Sequence, residues 1–198
     1  MIRTIKKVLF LTSALLVVGC GTKVTRVHSE STIDLTGRWN DTDSRLVAEE
    51  MIGDCLSQRW LFKWEEKNIR PTVIVGKVVN KSHEHISVET FIKDMERALL
   101  NSGKVDFVAS KTEREQLREE RDDQQANSSS YTAKSNGEET GADLMLIGSI
   151  NTIVDQDGAT AVVYYQTNLE LIELETNRKV WIGEKKIKKF VERAKVKF

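Results

Sequence analysis

The chain has 198 residues, with 30 basic and 30 acidic side chains, and 39% of its residues are hydrophobic. This length and composition fit one compact domain with a modest core and leave too few apolar residues for a second core. The balanced charge gives no indication of a nucleic-acid partner.

The first twenty residues have the three parts of a secretory signal peptide. They begin with a basic region that contains Arg3, Lys6 and Lys7. An apolar run at 8–18 follows, and as a helix it is too short to cross ~30 Å of hydrocarbon. Residues 16–20, Leu-Val-Val-Gly-Cys, resemble the lipobox of bacterial lipoproteins. We therefore predict a signal peptide at 1–19 and lipid attachment to Cys20.

The segment that follows is expected to be a short lipidated tether at 20–35, because it is polar and has no periodic apolar residues. Gly rather than Asp at position 21 favours sorting to the outer membrane, with the domain on the periplasmic face. If Cys20 carries lipid, Cys55 has no partner in the chain, which excludes a disulfide framework. The domain itself is expected to span 36–198.

A first helix is predicted to begin near residue 41, where Asp41 or Thr42 can cap it. Its apolar stripe is formed by Val47, Ala48, Met51, Ile52, Cys55 and Leu56. Cys55 is then expected to be a small buried apolar residue. Residues 60–64, Trp-Leu-Phe-Lys-Trp, are expected to continue this helix onto the sheet.

The middle of the chain predicts a strand–helix–strand unit. Residues 71–79 are β-branched and apolar on both faces, as in a central strand. Ser87 is expected to cap a helix that ends at 101–103, Asn-Ser-Gly, and residues 105–109 form the next strand. Such a unit is parallel and right-handed.

The last third predicts one charged helix and an antiparallel meander. Ser110 and Glu113 form a capping box that opens a helix to about Asp122, and 123–136 should be a mobile loop. Strands are expected at 141–148, 159–174 and 180–190, with turns at 155–158 and 175–178. The predicted fold is an α/β domain with a mixed parallel and antiparallel sheet of four to five strands flanked by helices.

Five short segments resemble LpoB-type outer-membrane lipoproteins, which activate bifunctional penicillin-binding proteins. The segments are Gly-Arg-Trp-Asn-Asp at 37–41, Val-Ile-Val-Gly at 73–76, Ala-Leu-Leu-Asn-Ser-Gly-Lys at 98–104, Gly-Ala-Asp at 141–143 and Glu-Thr-Asn-Arg-Lys-Val-Trp at 175–181. The resemblance covers about 36–190. It implies a fold similar to the amino-terminal domain of TolB, no catalytic residues, no cofactor, and a peptidoglycan synthase as partner.

One feature departs from that family. Its members in enteric bacteria carry a long, proline-rich tether, whereas this chain has some fifteen residues there and no proline. Bridging from the outer to the inner membrane would need a narrower gap, a taller partner, or a different partner at the outer membrane.

Candidate chemical sites in the sequence are weak. His83 and His85, with Glu89 nearby, lack further ligands at a recognised metal-site spacing, so a solvated turn is the favoured interpretation. Neither a Gly-x-Ser-x-Gly nucleophile motif nor a phosphate-binding loop occurs. We predict no enzyme, no metal, no cofactor and no small-molecule substrate.

Two features are candidates for partner binding. Seven basic residues and one acid lie between 185 and 197, and the candidates are the four lysines at the start of this run, Lys185, Lys186, Lys188 and Lys189. They either protect an edge strand from mispairing or contact an acidic partner, peptidoglycan carboxylates or anionic headgroups. Trp39 is expected to pack on the core as a lid, with an interface anchor as the alternative.

The favoured function is an outer-membrane lipoprotein that activates a penicillin-binding protein. The alternative is an envelope assembly or secretion lipoprotein related to curli-secretion or TolB-type components.

Overall fold

The computed structural model describes residues 22–193, so the predicted signal peptide and Cys20 lie outside the described residues. The chain divides into two units, with the boundary between Ser31 and Thr32. In the first unit, the described part contains a turn in which the Ser31 amide donates to the His28 carbonyl at 3.0 Å. The second unit holds every element named below, and it includes residues 32–35 of the predicted tether.

The second unit is an α/β domain with a five-stranded sheet in the order β2-β1-β3-β4-β5. Its helices are α1 (Asp41–Ser57), a 3₁₀ turn (Arg59–Leu61), α2 (Phe62–Glu65), α3 (Val88–Asn101) and α4 (Lys111–Asn127). Its strands are β1 (Thr72–Lys81), β2 (Asp106–Phe107), β3 (Leu144–Asp157), β4 (Thr160–Glu173) and β5 (Lys179–Glu192). Within 22–193, none of the helices has the length and apolar character needed to cross a membrane.

The sheet is mixed, as the sequence predicts. Val73 of β1 lies opposite Phe107 of β2 and Leu144 of β3, and both pairings are parallel. Strands β3, β4 and β5 pair antiparallel in chain order. The predicted strand–helix–strand unit and the predicted meander are therefore both confirmed, and β1 is central because each of its edges pairs with a parallel neighbour.

Helices α1 and α3 pack together, with α1 against β5 and α3 against β1, and this side of the sheet is called the helix face. The core on this face contains Phe91, Met95 and Leu99 of α3, together with the apolar stripe predicted for α1. Cys55 is 1% exposed, which confirms that it is a buried apolar residue. Buried Tyr165 and Trp181 extend the core across β4 and β5.

The cap of α1 differs from the prediction, because it is Asn40 rather than Asp41 or Thr42. The Asp43 amide donates to Asn40 Oδ1 and the Asn40 amide donates to Asp43 Oδ2, each at 3.0 Å. This reciprocal capping box satisfies two helix-end donors at once, which neither Asp41 nor Thr42 achieves from its position.

The predicted continuation of the first helix through 60–64 is wrong. The chain is extended at Gln58 (φ −86°, ψ 160°), which ends α1, and the apolar residues fold into the 3₁₀ turn and α2. At α3, Ser87 takes the cap position, but its hydroxyl pairs with Thr90 Oγ1 instead of with a backbone amide.

The carboxyl-terminal half also differs at its boundaries. Helix α4 continues to Asn127, into the segment predicted as a loop, and β2 keeps only two residues of the predicted strand 105–109. Strand β3 runs through the predicted turn to Asp157, and the chain reverses at Gly158, whose φ of +54° favours glycine.

Candidate partner-binding surface

The four candidate lysines of the predicted basic run lie on β5, the edge strand, and the pleat divides them between two faces. Residues 194–197 of the run lie outside the described residues. Side chains alternate along a strand, so Lys185 and Lys189 point to the helix face with buried Trp181. Lys186 and Lys188 are exposed on the opposite side of the sheet, called here the open face. The four candidate lysines therefore form two pairs in different surroundings.

The side chain of Lys189 is largely buried and makes three hydrogen bonds within the domain. Its Nζ donates to Asp43 Oδ2 at 2.6 Å, to Asp34 Oδ1 at 2.8 Å and to the Arg38 carbonyl at 3.1 Å. Burial lowers the pKa of Lys189, but the hydrogen bonds to Asp34 and Asp43 outweigh it and leave the pKa above its usual value. Lys189 thus fastens residues 34–40, called here the leading segment, to β5 and to the first turn of α1.

The other three lysines differ in their partners. Lys185 forms an ion pair with Glu50 of α1, and Lys186 forms one with Glu184 two residues earlier on its own strand. Lys188 has no ion-pair partner among residues 22–193. Of the four, Lys186 and Lys188 are the two whose side chains are exposed and make no contact with α1 or the leading segment.

Trp39 packs on the core as predicted. Its ring lies edge-on to Phe91, with centroids 6.1 Å apart, and to Tyr165, with centroids 5.6 Å apart. The Trp39 amide donates to Glu84 Oε2 at 3.1 Å. The ring remains only half-buried, so part of it lies on the surface at the start of α1.

Glu84 is the residue that sequence analysis missed. The Tyr165 hydroxyl lies 2.7 Å from Glu84 Oε1 and 3.0 Å from the Gly37 carbonyl. Burial and then the hydrogen bond to Glu84 hold the pKa of Tyr165 far above its usual value. His83 and His85 on either side are exposed, and residues 22–193 contain no group of three or more histidine, cysteine or acidic residues arranged to hold a metal ion.

The open face carries apolar side chains at its far end. Val162 of β4 lies opposite Phe190 of β5, and Tyr164 lies between Ile153 of β3 and Lys188. Ile153 is 66% exposed and Phe190 is 69% exposed. We call Ile153, Val162, Tyr164, Lys186, Lys188 and Phe190 the open-face patch. Exposed apolar side chains ringed by polar ones are typical of protein-binding surfaces.

The alternation that creates this patch is visible in the sequence. Between 182 and 190, the even-numbered positions read Ile, Glu, Lys, Lys, Phe, whereas the odd positions include the lysines held by α1. When the segment is treated as one basic run, the apolar residues at its two ends, Ile182 and Phe190, are overlooked. They become apparent when charged and apolar residues are both assigned to the two faces of a strand, which alternate with a period of two.

The family comparison agrees with the order of these elements. A family model described as "Peptidoglycan-synthase activator LpoB" matches residues 43–187, well over half of the chain. The chain belongs to the LpoB family. The match runs from the first turn of α1 to the middle of β5, so it includes Lys185 and Lys186 but ends before Lys188, Lys189 and Phe190.

Solved structures similar to this member of the LpoB family include the LpoB carboxyl-terminal domains of Escherichia coli and Salmonella enterica. They are 17% and 16% identical to it, with TM-scores of 0.43 and 0.41, and each alignment covers 73% of this chain and 98% of that chain. Lipoprotein GNA1162 from Neisseria meningitidis is 11% identical over 64% of this chain and 88% of its own, with a TM-score of 0.41. No curated protein matches the sequence. The family assignment rests on the family model.

Proposed function

We propose that this chain is a lipoprotein of the outer membrane that binds a bifunctional penicillin-binding protein and activates its peptidoglycan synthesis. The observation that carries the proposal is the match to the peptidoglycan-synthase activator family across 43–187. That match also favours this function over the envelope assembly or secretion alternative. The chain then acts by binding, without catalytic residues, cofactor or small-molecule substrate of its own.

The proposed anchor is Cys20, exposed when a signal peptide at 1–19 is removed, with residues 20–35 as the tether and 36–198 as the domain. Because the compact unit begins at Thr32, about twelve residues separate the lipid from the folded domain. They span at most ~40 Å when fully extended, and a flexible coil averages ~20 Å. This reach fits a partner at the outer membrane, a narrow gap between the membranes, or a synthase tall enough to extend toward the outer membrane.

The open-face patch is the proposed contact with the synthase. Phe190 and Ile153 offer apolar area at the end of the sheet, and Lys186 and Lys188 border it with charge. Interfaces depend on a few such anchors, while bordering charges set orientation and the rate of association. Lys185, Lys189 and Trp39 contribute indirectly, by holding α1 and the leading segment in place beside this strand.

The test is glycan synthesis by a purified synthase, captured from membrane extract with the full chain in detergent. Wild type should raise the rate, whereas Phe190→Ser should bind at least about tenfold more weakly, because truncating an interface anchor costs ~2 kcal/mol. Lys111→Ser is the matched control, since Lys111 is an exposed residue of α4. Capture of no synthase, or no stimulation by wild type, would refute the proposed function.

The anchor has its own test. Full chain produced in a Gram-negative host should carry fatty acid on residue 20 by mass spectrometry and should partition into the detergent phase. Cys20→Ser should remain an uncleaved, unacylated precursor. A mature protein that begins elsewhere and partitions into buffer would contradict the proposed location.

A further inference from the structure

Helix α4 is held to the domain almost entirely by polar contacts. None of its seventeen residues is buried, and Leu117, in its middle, is 52% exposed. At its start, Lys93 of α3 donates to Glu113 at 2.8 Å, beside the capping box of Ser110. In its middle, Arg118 and Arg121 both bind Glu139 of the following loop. A helix attached through polar side chains, without a packed interface, leaves space between itself and the rest of the domain.

That space is a cleft of about 780 Å³ between α4, the end of β2 and the loop at 133–140. Its floor is apolar and consists of Phe107, Val108, Ala109 and Leu117. Pockets for small ligands have volumes of ~300–1,000 Å³ and combine mostly apolar walls with a few polar groups. The cleft has this size, and its lining combines the apolar floor with polar and charged side chains of α4 and of the loop.

Two arginines of this cleft, Arg114 and Arg121, have a buried Nε with no hydrogen-bond acceptor. Arg121 is bound to Glu139 through its Nη2, whereas within 22–193 no ion pair or hydrogen bond engages the side chain of Arg114. The carboxylates that line the cleft do not accept a hydrogen bond from Arg114. Glu139 is bound by Arg118 and Arg121, and Glu120 accepts from Gln124. Glu138, the third acid, is exposed.

We propose that this cleft binds the free terminal carboxylate of a short peptide with small apolar side chains. A planar guanidinium binds a carboxylate through two parallel hydrogen bonds, and a neutral amide end does not replace that charge. Small side chains fit the floor of Val108, Ala109 and Leu117. Either a cell-wall stem peptide, which ends in D-alanine, or the carboxyl terminus of a protein has this chemistry.

The experiment measures peptide binding to the full chain in detergent micelles by calorimetry and NMR. The probes are acetyl-Lys-D-Ala-D-Ala, its all-L isomer, and the terminal amide of each. At least one free acid should bind saturably and shift the signals of Ala109 and Leu117, and its amide should bind at least about tenfold more weakly. Arg114→Gln should lose binding to the same extent, whereas Arg45→Gln, an equal charge change on α1, should not.

Preference for the D isomer identifies a wall peptide as the source, and preference for the L isomer identifies a protein terminus; both support the site. Equal binding of acid and amide, no saturable binding of either acid, or full binding by Arg114→Gln overturns it. The comparison of acid with amide uses the unmodified chain, so it decides the question even if Arg114→Gln disturbs α4. Because the readout is binding without a synthase, it succeeds or fails independently of the proposed activation.

Discussion

Replacing Lys189 with glutamine should destabilise the domain by ~2–3 kcal/mol. The substitution removes the cation from Asp43, whose side chain is 9% exposed, and from Asp34, whose side chain is 49% exposed. Breaking a fully buried pair costs ~3–5 kcal/mol and an exposed pair at most ~1 kcal/mol. The Asn40 amide still donates to Asp43 after the change, so the buried carboxylate keeps one partner. The expected loss is therefore smaller than the ~5 kcal/mol upper limit for a fully buried pair.

Urea unfolding, followed by tryptophan fluorescence, measures this loss as a lower midpoint at unchanged slope. The matched control is Lys188→Gln, one residue away on the same strand but on the open face, which should alter the free energy of unfolding by less than ~0.5 kcal/mol. Equal midpoints for the two variants would show that the leading segment is not fastened through Lys189.

Three further results are expected. Burial, and then the charge of Asp54, raise the pKa of Cys55 to about 12, so very little reactive thiolate is present at pH 8. Maleimide at this pH should therefore label Cys55 on the order of a hundredfold more slowly in folded than in urea-unfolded protein. Gly183→Ala should cost ~1–3 kcal/mol in urea unfolding, because its Cβ would clash with the Trp181 ring. Gly53→Ala in α1, where an added Cβ meets no other atom, should be stabilising. Hydrogen bonds from Lys93 and Ser110 lower the pKa of Glu113 to about 2. As the pH falls below ~4.5, the unfolded state therefore takes up a proton on this carboxylate before the folded state does. The stability advantage of wild type over Glu113→Gln should be full above pH ~4.5 and should vanish as the pH falls toward 2.

Local signals in the sequence were sufficient wherever a segment buries a regular face. The apolar residues of α3 recur at helical spacing, and Phe91, Met95 and Leu99 are all buried. The capping box at Ser110 needs only two residues three positions apart, and it forms as predicted. The mixed sheet follows from one strand–helix–strand unit and two tight turns, so its combination of parallel and antiparallel pairing was also predictable. Nothing in the sequence indicated that β3 pairs with β1 rather than with β2.

The boundaries were not predictable where pairing, rather than burial, keeps a segment ordered. The last three residues of β3, at 155–157, are exposed and polar, yet Asp155 and Asp157 continue the ladder opposite Val162 and Thr160. Helix α4 offers no apolar periodicity past Leu117, because it buries none of its residues, so nothing in the sequence marks its end at Asn127. The pattern of apolar residues in a sequence indicates only those parts of a helix or strand that pack on a core, so it does not predict where an exposed part ends.

The site was harder to predict than the fold because its parts are distant in sequence. The leading segment meets β5 through Asp34 and Lys189, which are 155 residues apart, and Glu84 joins Trp39 to Tyr165. No spacing rule connects such residues. The sequence identified Trp39 and the lysines as candidates, but only the register of β5 divides those lysines between two faces.

That division decides how the basic run should be tested, because neutralising all four lysines together would confuse stability with binding. The open-face pair, Lys186→Gln with Lys188→Gln, should weaken capture of the synthase and flatten its salt dependence while leaving the urea midpoint unchanged. The helix-face pair, Lys185→Gln with Lys189→Gln, should lower the midpoint, since both lysines bind acids of α1. Unchanged capture by the open-face pair, with the same slope against salt, would show that these two lysines only protect the edge of the sheet.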